Sequence, residues 1–141
     1  MTAKEYLRQI RRTEIFIEQK KKEYGMLRSE QSYIQAIDYS RERVQTSPNG
    51  DCFVAVINRF EAIEREIVQE IHRFSELRKK IIQQIQQIER LEYADILFKR
   101  YIEYRSFEEI SSNIGYSYYR TCRMHGEALK EFEKIMAKDG K

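Results

Sequence analysis

Between Ser117 and Gly126 the chain reads S-Y-Y-R-T-C-R-M-H-G: two arginines, two tyrosines, a serine and a histidine, with no acid among them. These residue types suit the recognition of a polyanion. An arginine can pair bidentately with O6 and N7 of a guanine, which discriminates by roughly 1–3 kcal/mol. Serine and tyrosine hydroxyls can donate to phosphates, and a tyrosine ring can pack on a thymine methyl. Glu127, Glu131 and Glu133 all lie beyond the stretch, so the positive charge sits where a groove-facing helix would use it. Aromatic residues near a helix start also cover the preceding turn, and that is the competing reading for Tyr118 and Tyr119.

Side chains that read a duplex need a rigid mount, and the flanking residues carry the signals for one. An apolar-periodic helix ends near Tyr104. Ser106, three residues before Glu109, makes a capping box that starts a short helix, S-F-E-E-I-S-S-N. Gly115 stands where that helix must stop, because a residue just past a helix end commonly takes positive φ. Ser117 can then accept from the free N–H groups of a third helix, running from Tyr118 to about Ile135. Helix, glycine turn and capped helix together can set a helix N-terminus into a major groove. Gly126 costs this last helix about 1 kcal/mol against alanine, and reads either as a close helix approach or as a weak point.

The rest of the composition points to a nearly all-α protein. Charged residues make up 35% of 141 and apolar residues 41%, with one proline and five glycines, a mixture that favours helices with solvated faces. No apolar run approaches the length of a membrane span. Charges at Lys4, Glu5, Arg8, Arg11 and Arg12 interrupt any signal-peptide core, so the expected location is cytoplasmic. Cys52 and Cys122 have no paired spacing, which suggests neither a zinc site nor a disulfide framework; both read as buried or half-buried thiols. His72 reads as an exposed residue of a helix. Net charge is +3, and residues 92–141 hold nine basic and nine acidic residues. That balance weakens the case for DNA, since phosphate neutralisation supplies most non-specific affinity.

Residues 1–91 read as a long helical hairpin or coiled coil. Tyr6, Ile10, Thr13, Ile17, Lys20 and Tyr24, thickened by Leu7 and Phe16, follow helical spacing. Lys20-Lys21-Lys22 reads as a solvated helix end, and Gly25 as a break or kink. A further helical piece spans about Ser29 to Val44, with Ile34, Ile37, Arg41 and Val44 on one side. Thr46 to Asp51 (T-S-P-N-G-D) predicts a reversal, with Asp51 as the next N-cap. From residue 52 to 91 no breaker occurs. Phe60, Ile63, Ile67, Ile71, Phe74, Arg78, Ile81, Ile85 and Ile88 repeat at the coiled-coil period, widened by Val56, Leu77 and Ile82. Such a stripe needs a partner: the N-terminal helices, a second copy of the chain, or both. Asp95 is the expected cap of a new helix, Ile96 to Tyr104, which makes residues 92–141 a second domain.

Residues 94–132 resemble region four of bacterial sigma factors, a helix-turn-helix that grips promoter DNA. The shared features are Arg100-Tyr101, S-F-E-E-I at Ser106–Ile110, I-G-Y-S at Ile114–Ser117, and Ala128-Leu129. Over its whole length the chain is similar in layout to the ArpU/RinA-type regulators of phages and prophages, whose C-terminal R-x-H-x-x-A-L stands here at Arg123–Leu129. The resemblance implies that Ser117 caps the recognition helix and reaches a phosphate. It implies that Tyr118, Tyr119 and Arg123 face base edges and that Arg120 contacts backbone or base. His125 is expected at the surface, against a phosphate. Thr121 replaces an aliphatic residue usual in this module, which loosens the expected packing.

The implied function is sequence-specific DNA binding that regulates phage or prophage transcription, with double-stranded DNA as partner and no cofactor. No phosphate loop, nucleophile elbow or metalloprotease motif is present, so no enzymatic activity is expected. The alternative is a helical interaction or scaffold protein that forms a homodimer or binds a host partner such as RNA polymerase without touching DNA.

Overall fold

The computed structural model describes the backbone over residues 1–40 and 49–140, and side chains over residues 1–32 and 54–140. Every regular element among the described residues is helical: α1 (Ala3–Ser40), α2 (Asn49–Gln86), α3 (Leu91–Leu97), a π-helical turn (Phe98–Ile102), α4 (Phe107–Ile114) and α5 (Tyr118–Asp139). The all-α expectation holds. None of these helices is long and apolar enough to cross a membrane. The first half of the expected reversal, Thr46–Pro48, lies outside the described residues. Asn49 to Asp51 are already helical, so Asp51 stands in the first turn of α2 and does not precede it. The side chains of Ile34, Ile37, Arg41, Val44 and Cys52 also lie outside the described set.

The chain divides into two compact units, and the division does not fall at residue 91. One unit combines Met1–Glu14 with Phe74–Lys141; the other is Ile15–Arg73. In the second unit α1 and α2 pair antiparallel. The Lys20 ammonium lies 3.3 Å from both Glu23 and Glu66, and the Tyr24 hydroxyl donates to Glu64 at 2.5 Å. The Tyr24 and Phe60 rings meet edge to face at 5.4 Å, and Ile17 and Ile63 are buried. Lys20 is therefore not part of a solvated helix end. Gly25 breaks nothing, since α1 runs through it. One glycine costs a helix interior about 1 kcal/mol, and the pairing of its neighbour Tyr24 with Phe60 and Glu64 offsets that.

The first unit holds the larger core. Leu7 and Ile10 of α1, Ile81 and Ile85 of α2, Ile96 and Leu97 of α3, Ile110 of α4, and Ala128 and Phe132 of α5 are all essentially inaccessible to solvent. Each large side chain so buried contributes about 1.5–3 kcal/mol. A reciprocal capping box starts α1: Thr2 N–H donates to Glu5 and Glu5 N–H to the Thr2 hydroxyl, at 3.0 and 3.2 Å. Buried Gln84 ties three helices together, accepting from the Tyr6 hydroxyl and donating to Asp139, both at 2.9 Å.

Two expectations at the α2–α3 junction are corrected. α2 stops at Gln86, and α3 starts at Leu91 with Arg90 in extended conformation before it. Asp95 thus sits inside α3, ion-paired with Lys99, and caps nothing. Ile88 keeps the apolar rhythm although it lies in the link, because the link itself enters the core, where Ile88 is 6% exposed. Beyond α3 the ladder widens: Glu103 N–H reaches the Phe98 carbonyl at 3.1 Å and Arg105 N–H the Lys99 carbonyl at 3.0 Å. Tyr104 then turns the chain with φ 59°.

Candidate nucleic-acid interface

The signals around Ser106–Ser117 act locally as their chemistry dictates. Ser106 caps α4 by accepting from Glu109 N–H at 3.2 Å. Gly115 takes φ 79° while its N–H closes on the Ser111 carbonyl. Ser117 caps α5 by accepting from Arg120 N–H at 3.1 Å, which leaves its hydroxyl hydrogen free to donate. The Ser117 carbonyl accepts from both the amide and the hydroxyl of Thr121, at 2.9 Å each. Thr121 is fully buried with its hydroxyl satisfied, so the expected loosening of the packing there does not arise.

These caps fix the rotation of α5. Thr121, Met124, Ala128, Phe132 and Ile135 face the core, while Tyr119, Arg120 and Arg123 are exposed. Tyr119 is the more open of the two tyrosines at the start of this helix, at 78%. Tyr118 is intermediate in role: half exposed, its ring meets Phe107 edge on at 6.5 Å. Part of it therefore packs on the preceding helix. The Arg120 guanidinium rests over the Tyr116 ring, 4.5 Å from its centroid, and remains accessible.

His125 is the correction within the site. It is 8% exposed, with Nε2 2.8 Å from the Tyr101 hydroxyl and its ring against Phe107 at 4.9 Å. Burial, reinforced by the positive charges of Arg100, Lys4 and Arg8, lowers its pKa to about 4. It is neutral at physiological pH and does not face outward with Arg120 and Arg123. The signal was available: Thr121, His125, Ala128 and Phe132 share one face at helical spacing.

Arg90 was not anticipated. It leaves the α2–α3 link to join Arg120, Arg123 and Tyr119 around a groove of about 380 Å³, floored by Tyr93 and Met124 and closed at one end by Glu127. A relay holds it there: Arg90 donates to the Tyr93 hydroxyl at 3.1 Å, and that hydroxyl donates to Glu127. The same bond to Glu127 pushes the Tyr93 phenol pKa up. Glu127 is thus engaged by the protein, and three guanidiniums converge on one side of α5. Among the described residues no three His, Cys, Asp or Glu side chains group to hold a metal ion. Cys122 is a half-buried free thiol.

Compared with known proteins, the chain matches no family model, no curated protein and no solved structure.

Proposed function

We propose that this chain is a sequence-specific DNA-binding regulator of phage or prophage transcription, acting in the cytoplasm and reading duplex DNA with the first half of α5. One observation carries the reading: the segregation of that half-helix. Tyr119, Arg120 and Arg123 are exposed behind a serine cap with a spare donor, while Thr121, Met124 and Ala128 anchor the other side in the core. Arg90 joins the two helix arginines at the same groove from outside the helix, 3.6 Å from the Glu92 carboxylate. Selection of bound fragments from the genome that encodes the chain is expected to return a discrete site, with affinity falling steeply as salt rises. Replacing Arg120 and Arg123 together with alanine is expected to abolish binding without changing the melting temperature. Parent-like binding by that variant refutes the assignment of the recognition helix.

A specific feature favours the second reading, an oligomerising helical scaffold. In the Ile15–Arg73 unit, Val54, Ile57, Val68 and Ile71 of α2 recur at helical spacing and are exposed. A second copy of the chain pairing there would give one assembly two α5 helices. A stable oligomer that binds no duplex even at low salt supports the scaffold alone. A monomer mass independent of concentration removes it.

A further inference from the structure

We infer that the Met1–Glu14/Phe74–Lys141 unit carries a binding site for a small organic phosphate, on the side of α5 away from the DNA-reading face and independent of that reading. The site is a cavity of about 320 Å³ into which Lys4, Arg8, Arg11 and Arg100 converge. At about 100° per residue, Cys122 and His125, which line it, fall roughly opposite Arg120 and Arg123 on α5.

Four cations around one concavity repel one another, and the fold does little to compensate them. No carboxylate lines the cavity. Glu14 neutralises one cation, lying 3.6 Å from Arg11. Lys4 and Arg8 have no ion pair among the described residues. Lys4 stands in the first turn of α1, where a cation opposes the helix dipole, so helix stability does not explain its placement. An anionic ligand does.

The two other guanidiniums are already oriented. Arg11 lies over the Tyr104 ring at 4.7 Å and Arg100 over the Phe107 ring at 4.3 Å. Arg100 is held further by its bond to the Arg105 carbonyl at 3.0 Å. Arginines fixed before the ligand arrives lose little freedom on binding it, and their forks match phosphate oxygens. On the floor, Tyr101 and His125 are both buried and share one hydrogen bond. Neutral imidazole and phenol bring two polar hydrogens to that bond and use one. The pair therefore keeps a donor that no described residue takes.

Shape and size then select the ligand class. The concavity lies in the volume range of small-molecule sites. At about 320 Å³ it is larger than a phosphoryl group fills. The remainder is walled by Leu7, Phe107 and Cys122, which suits an organic part attached to the phosphate.

Titration calorimetry on the full chain without DNA, at constant ionic strength, tests this with ADP, inorganic phosphate and adenosine as probes. ADP is expected to bind saturably at one site, with inorganic phosphate and adenosine each about tenfold or more weaker. The His125 ring resonances of the parent are expected to shift with ADP occupancy. A Lys4→Gln/Arg8→Gln variant is expected to lose about tenfold or more in ADP affinity with an unfolding midpoint no lower than the parent's, while Lys79→Gln/Lys80→Gln, at two exposed lysines of α2 outside the cavity, binds as the parent does. Non-saturating ADP heats, inorganic phosphate as tight as ADP, or parent-like affinity in Lys4→Gln/Arg8→Gln overturns the site. So does a Lys4→Gln/Arg8→Gln defect confined to duplex binding.

Discussion

Lowering the pH from 7 to 5 is expected to remove about 2 kcal/mol of folding stability through one side chain, His125. Folded, it titrates at about 4, held down first by burial and then by the nearby charges of Arg100, Lys4 and Arg8; its ordinary value is 6.5. Between those two values the unfolded chain binds a proton that the folded chain does not. Stability therefore rises with pH across the window, with a slope approaching about 1.4 kcal/mol per pH unit. The contribution is fully present above the unfolded value, declines as the solution is acidified and levels off near pH 4. Integrated from pH 7 to 5, it gives the 2 kcal/mol above. Most carboxylates titrate below this window, so the histidine dominates it. The assay is urea unfolding followed by circular dichroism at pH 7, 6 and 5, on the parent, on His125→Gln and on His72→Gln, whose histidine is exposed. His125→Gln is expected to be less stable at pH 7 but nearly flat with pH; His72→Gln is expected to track the parent. A flat parent curve, or an equal decline in His125→Gln, refutes the neutral buried imidazole.

Two glycines should respond in opposite directions. A Cβ at Gly126 would meet nothing within 4 Å, so Gly126→Ala is expected to raise stability by about 0.5–1 kcal/mol in the same urea experiment. At Gly115 the space is also open but φ is +79°, so Gly115→Ala is expected to cost about 1–2 kcal/mol, with Gly115→Asn costing less because asparagine tolerates that conformation.

Local rules carried the sequence furthest. Ser106, Gly115 and Ser117 each announce a helix boundary through a bond or a dihedral that involves only near neighbours, and all three stand where their chemistry predicts. Boundaries set by distant partners were not legible. The apolar repeat runs past Gln86 because Ile88 serves the core from a link as well as it would from a helix. Gly25 looked like a break because the compensating contacts come from residues forty positions away. The π turn at Phe98–Ile102 leaves no compositional mark, yet it supplies Arg100 and Tyr101 to the phosphate cavity. Arg90 was invisible for a related reason: only the fold brings the α2–α3 link beside α5. His125 differs, since its spacing from Thr121 and Ala128 pointed inward throughout.

Gln84 joins Tyr6 to Asp139, and this has a consequence for how the chain matures on the ribosome. The α1 turns that carry Leu7 and Ile10 have apolar side chains whose resting place includes Phe132. Their cover is complete only after α5 has been made. Cutting at residue 91 would therefore release a C-terminal fragment stripped of one wall of its interior, and an N-terminal fragment whose Leu7, Ile10, Ile81 and Ile85 lose the cover of the later helices.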